Sequence, residues 1–146
     1  MKYDDASWHY GGNFPDGLPE NAGATHIGMF LSWAALNGLA GDLHVEDFSD
    51  DLGRLRGRTI TPAAWFISVC DEKLTDEDLN EEGNQFAQAY YAGENGLHLI
   101  EGSYLLDLSD AFSASETLYH VPDTWATYDI LEPIIRSRYD AWRNVR

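Results

Sequence analysis

The sequence predicts a mainly α protein: one domain over residues 1–146, built as a bundle of about five helices, with residues 1–19 docked on it as an arm. Three observations carry this. Apolar residues recur at spacings of three and four in successive segments. Helix start and stop signals fall between those segments. No internal repeat, low-complexity stretch or linker divides the chain.

The arm reads "KYDDASWHYGGNFP" and carries Tyr3, Trp8, Tyr10 and Phe14, as much apolar side chain as a core strand. Tyr3, Trp8 and Phe14 are expected to pack on the body, so that Trp8→Ala would cost about 3–5 kcal/mol. Gly11-Gly12 and Pro15 turn the chain. Asp4, Asp5, His9 and Tyr10 are expected on or near the surface.

Glu20 to Leu39 follows as a helix buried on more than one side, because Ala24, Ile27, Leu31 and Ala35 form one apolar face and Met29, Trp33 and Leu36 a second. "VEDFSDDLGRLRGR" predicts an amphipathic helix through Val45, Phe48, Leu52 and Leu55, with acids first and arginines last, as the helix dipole favours. Thr61-Pro62 is a capping hydroxyl followed by a residue preset for the first turn, leading into Ala63 to Asp71. Thr75 caps the next helix, whose buried side holds Leu79, Phe86, Ala87 and Tyr90. From Glu94 to Thr124 the pattern fits either a short strand pair or a strand and a helix. In the last helix Tyr128, Leu131, Ile135, Tyr139 and Trp142 share a face, and Pro133 either lies in the first turn or kinks it.

Charge is the strongest compositional signal: 25 Asp and Glu against 9 Lys and Arg, a formal net charge of −16. No Lys or Arg occurs from Leu74 to Ile135, a stretch with 13 acids. Such a surface repels nucleic acid and anionic lipid and attracts basic partners. Arg54, Arg56 and Arg58 are too few to make a nucleic-acid site on this background. The apolar stretch Ile27 to Leu39 is too short and too interrupted to cross a bilayer. One cysteine, Cys70, allows no intramolecular disulfide, and the N-terminus lacks a signal-peptide pattern, so a cytoplasmic location is expected.

Several residues invite chemistry. The pairs His98 and Glu101, His120 and Asp123, and His44 and Glu46 have metal-ligand donor types but none of the specific spacings, so no metal or cofactor is predicted. Cys70, with His9 or His26 as base, could act as a nucleophile, but a small buried thiol is the commoner outcome on an apolar helix face. His26, inside the buried helix, reads as a hydrogen-bonded core histidine. Asp4 and Asp5 are adjacent and point apart, which disfavours an acid/base pair. The run Asp76, Glu77, Asp78, Glu81 and Glu82 is either a solvated helix start or a face for a basic partner.

The combination of "KYDDASWHYGGNFP", "ATHIGMFLSWAALNGL", "CDEKLTDEDLNEEGNQFAQAYY" and "LYHVPDTWATYDILEPII" resembles a family of small acidic bacterial proteins over nearly the whole chain. Its members look like the cytosolic immunity proteins encoded beside polymorphic or secreted toxins. That resemblance implies an inhibitor that docks a basic toxin, with Asp4, Asp5, His9, Tyr10, Asp76, Glu77, Asp78, Glu81 and Glu82 as the expected contact residues and no catalytic step. One alternative is a small hydrolase built from His9, His98, Glu101, His120 and Asp123, favoured if those side chains converge. Another is a homo-oligomeric scaffold.

Overall fold

A computed structural model describes residues 2–10, 14–91 and 103–144, and the fold is mainly α with a short two-stranded antiparallel sheet. Strand β1 (Lys2–Asp5) runs directly into a short helix α1 (Ala6–Tyr10). A 3-10 turn over Glu20–Ala24 leads into α2 (Thr25–Leu36), and a π-helical turn over Leu43–Asp47 into α3 (Ser49–Arg56). Then come α4 (Pro62–Cys70), β2 (Lys73–Thr75), α5 (Glu81–Tyr90), α6 (Tyr104–Ala111) and α7 (Trp125–Asn144).

Helix α2 is the axis of the core. Every residue from Thr25 to Ala35 is buried, as expected for a helix apolar all round. Phe30 lies among Phe86, Tyr90, Tyr91 and Tyr104 with ring centroids 5.0–6.3 Å apart. Trp33 packs against Phe86 and Tyr139 and donates its indole N–H to Glu132 at 3.1 Å. On the opposite side α4 approaches so closely that a Cβ on Gly28 would lie 2.9 Å from both the Ala63 Cα and the Pro62 carbonyl oxygen. Glycine at 28 is what allows this helix pair to touch through backbone.

The expected capping chemistry is in place. The Thr61 hydroxyl accepts from the Ala64 N–H, with Pro62 in the first turn. Thr75 and Asp78 form a reciprocal capping box, and the Asn80 side chain accepts from the Gly83 N–H to start α5. Leu79, Phe86, Ala87 and Tyr90 are buried together, as are Tyr128, Leu131 and Ile135 of α7, with Tyr139 and Trp142 packed against the same cluster. Pro133 lies inside α7, on its exposed side, and the helix continues through it.

Two expectations are corrected, the placements of Trp8 and Val45, and the stretch left open is decided in part. The arm docks as a strand: β1 pairs antiparallel with β2, and the Ala6 N–H bonds the Glu72 carbonyl at 3.0 Å. Trp8 is 54% exposed, lying against the Lys2 ammonium at 5.1 Å, whereas Tyr3 is buried with its hydroxyl 2.6 Å from Asn84 Oδ1. The π-helical turn shifts the helical phase before α3, so Val45 is 50% exposed and His44 is buried in its place. In the ambiguous stretch, residues 103–124 form α6 and a 3-10 turn at Leu118–His120, with no strand among the described residues; 94–102 lie outside them. No helix among the described residues is long and apolar enough to cross a membrane.

Candidate functional site

The strand at the N-terminus carries the first group of converging side chains. Asp4 and Asp5, expected at the surface, are both buried, Asp4 to 3% exposure, because β1 is covered by the body on which it pairs. Asp5 is structural: it takes the Ser7 N–H at 2.9 Å and the Ser7 hydroxyl at 2.7 Å at the start of α1, and pairs with Lys2 at 2.8 Å. The Asp4 side chain instead reaches inward to α2 and α5. His9 Nε2 lies 2.8 Å from Asp4 Oδ1 and His26 Nε2 3.2 Å from Oδ2, and the two Nε2 atoms are 3.2 Å apart. The imidazoles meet edge to face, centroids 4.4 Å apart. Tyr91, directly after α5, donates its hydroxyl to Asp4, and the Asp5 N–H donates to it at 2.8 Å.

A shell of tyrosines surrounds this group. Tyr119 Oη is 2.7 Å from His9 Nδ1, Phe14 stacks obliquely on the Tyr119 ring, and the Tyr104 hydroxyl donates to the His26 carbonyl at 2.5 Å. Burial alone would raise the Asp4 carboxyl, but hydrogen bonds and positive charge from His26 and His9 outweigh it and hold the group well below the usual carboxylate range. Burial, with the Asp4 charge added, pushes Tyr91, Tyr104 and Tyr119 upward, so these hydroxyls keep their protons, and Tyr91 and Tyr104 donate theirs to Asp4 and to the His26 carbonyl. The Asp4 and His26 side chains are closed off from water, whereas the His9 side chain retains 16% exposure. Tyr10 ends α1.

A second group joins the π-helical turn, α4 and the capping box. His44 Nε2 lies 2.8 Å from Asp78 Oδ1, and the Cys70 thiol lies 3.4 Å from the same oxygen and 3.7 Å from the imidazole. Asp78 Oδ2 accepts the Thr75 N–H at 2.9 Å. His44 is fully buried, and its Nδ1 has no hydrogen-bond partner among the described residues. Burial and the adjacent Asp78 charge push the Cys70 thiol up, which keeps it protonated and a poor nucleophile. Its imidazole neighbour is His44, in place of the expected His9 or His26. The expected His44 and Glu46 pair is parted, His44 inside and Glu46 exposed.

The remaining site expectations divide. Of the acidic run, Asp76, Glu77 and Glu81 are exposed, Asp78 is the buried cap, and Glu82 accepts the Tyr139 hydroxyl. The hydrolase set does not come together among the described residues. His120 pairs with Glu116 at 3.3 Å and with the Thr117 hydroxyl at 2.9 Å. Asp123 accepts the Thr61 hydroxyl at 2.5 Å and the Ala63 N–H at 2.9 Å, bracing the start of α4. His98 and Glu101 lie outside the described residues.

Sequence reasoning missed Tyr91, Tyr119 and the pairing of Asp4 with both histidines. One signal was available. A histidine inside a helix apolar on all sides requires a polar partner, and the arm supplied Asp4 and His9.

A family model described as a domain of unknown function, DUF7832, matches residues 2–121, and the chain belongs to that family. No curated protein and no solved structure matches it.

Proposed function

We propose that this DUF7832 chain is an acidic protein-binding module, an immunity-type inhibitor that docks a basic partner through its carboxylate surface. One observation carries the reading. Among the described residues, six basic side chains are engaged by the chain's own carboxylates, in the pairs Lys2–Asp5, Arg54–Asp51, Arg58–Asp129, Lys73–Asp71, Arg136–Glu132 and Arg138–Asp107. The charge left facing solvent is therefore strongly negative, and Glu77 and Glu81 present part of it on the capped segment leading into α5. A field of that sign speeds encounter with a basic protein and disfavours nucleic acid.

Asp4, Asp5 and Asp78 act in this reading as internal supports rather than contacts. Asp78 holds the capping box that displays Asp76 and Glu77, and Asp4 fixes the arm. Binding needs no catalytic step. The test is capture from the native lysate by the full chain at low salt, followed by salt elution, in parallel with the triple variant Asp76→Asn, Glu77→Gln, Glu81→Gln. One stoichiometric basic protein, released by salt and depleted with the variant, is expected. Equal retention by the variant would remove this face from the proposal, and the lack of any basic partner would remove the proposal itself.

A further inference from the structure

We infer that Asp4, His9 and His26 form a binding site for a first-row divalent metal ion of the zinc class. The site is independent of the docking reading. It rests on the geometry of three donors contributed by three successive elements, β1, α1 and α2.

Two donors about 2.0–2.1 Å from a common ion, subtending roughly 90–110°, lie about 2.8–3.4 Å apart. Here His9 Nε2 lies 2.8 Å from Asp4 Oδ1, His26 Nε2 lies 3.2 Å from Oδ2 and the two Nε2 atoms are 3.2 Å apart, so each carboxylate oxygen faces one imidazole, and one ligand atom from each of the three residues falls within 4.8 Å of the others. Two imidazoles and a carboxylate are a donor set that suits zinc and iron(II).

Hydrogen bonding alone satisfies this arrangement poorly. Each Nε2 offers either an N–H or a lone pair. If both donate to Asp4, the two N–H groups lie side by side with like partial charges crowded across 3.2 Å. If one does not, its lone pair accepts at best the other ring's N–H and still faces the carboxylate. A cation turns all the lone pairs to use and compensates a buried carboxylate whose partners are two imidazoles, a tyrosine hydroxyl and a backbone N–H, none of them a permanent charge.

The surroundings of His9 and Asp4 match those of ligands in a metal site. Ligating histidines characteristically engage the other ring nitrogen in a hydrogen bond, and ligating carboxylates are themselves held. Tyr119 occupies His9 Nδ1, and Tyr91 holds Asp4. The partial exposure of His9 provides the side from which an ion enters and where a fourth ligand would stand.

The other group of donors, His44, Cys70 and Asp78, also lies within reach of one ion. It is the weaker candidate. The His44 and Asp78 side chains are both closed off from water, and the thiol must lose a proton that its surroundings retain. The two sites are separable by spectroscopy, because cobalt(II) bound to a thiolate adds an intense near-ultraviolet charge-transfer band that a nitrogen and oxygen set lacks.

The test strips the full chain with a chelator and titrates it with cobalt(II), followed by displacement with zinc(II) and by melting. One saturating equivalent with visible d–d bands and no thiolate band is expected. At a hundredfold excess of zinc over its dissociation constant, the melting temperature should rise by roughly 5–10 °C. His9→Gln should lose both the saturable signal and the melting shift, Tyr119→Phe should weaken affinity about tenfold with stoichiometry kept, and Cys70→Ser should change neither. Should Asp4→Asn fail to fold, His9→Gln, at the accessible edge, still decides. Absence of stoichiometric binding, binding that survives His9→Gln, or a thiolate band abolished by Cys70→Ser would each overturn the assignment.

Discussion

The two buried histidine clusters start from the same pairing, an imidazole against an aspartate at 2.8 Å, and put it to different uses. Around His44 the aspartate is tied into local backbone: its second oxygen closes the Thr75 capping box, and the third member is a thiol held protonated. Around His26 the aspartate arrives from a different part of the chain, as the inner face of a strand that pairs with residues some seventy positions away and meets a second imidazole and a shell of tyrosines. The contrast teaches that a buried Asp–His pair is a structural brace where its remaining oxygen serves a helix cap. It becomes a candidate ligand set where further donors converge on the same point.

The sharpest way to break the comparison is to remove each aspartate. Asp4→Ala strands two imidazoles and a tyrosine hydroxyl on three elements, and should cost about 3–5 kcal/mol by urea unfolding. Asp78→Ala loses one imidazole partner and a cap, and should cost about 2–3 kcal/mol. A reversed order would show that the arm is less firmly docked than its geometry implies.

Alkaline pH sharpens the comparison next, since ionisable tyrosines surround only the arm cluster's aspartate. Tyr91 and Tyr104 have folded values raised above the ordinary 10.0, by burial first and then by the Asp4 charge. Below about pH 10 both folded and unfolded chains keep these protons, and their contribution is fully present. Above it the unfolded chain ionises while the fold resists, so stability falls as pH rises. The unfolding midpoint should hold from about pH 7 to 9 and drop beyond about pH 10. Tyr91→Phe should blunt that drop, at a cost near neutral pH of about 1–2 kcal/mol from the lost hydrogen bond to a charged group. Alkylation of native Cys70 should stay slow at about pH 8–9, where an ordinary thiol would react.

The smallest effect is expected at Trp8. With its ring 54% exposed, Trp8→Ala should change stability by only about 0.5–1 kcal/mol, measurable as a small shift in urea midpoint. A loss as large as that of Asp4→Ala would mean that the ring covers the site.

Much of the fold was legible because local signals agreed. The all-round apolar pattern marked α2 as central, the Thr61-Pro62 start marked α4, and the heptad-like spacing of Tyr128, Leu131 and Ile135 marked the buried face of α7. Val45 was misplaced because a π-helical turn adds a residue to the local period, which a 3.6-residue template does not anticipate. The site was half legible. His26 was recognisable as a core histidine from its apolar neighbours, but Asp4 and Asp5 looked like surface acids because their burial depends on β2, Tyr91 and His26, all distant in sequence. In the same way Asp78 looked like one acid among five until Thr75 and His44 closed on it.

The claim that the chain acts by electrostatic docking is tested most directly by the association rate between the intact chain and its captured partner as ionic strength is raised. A steep fall in that rate, flattened in the Asp76→Asn, Glu77→Gln, Glu81→Gln variant while the folded state is retained, is the predicted result. A rate insensitive to salt and identical in the variant would contradict the account.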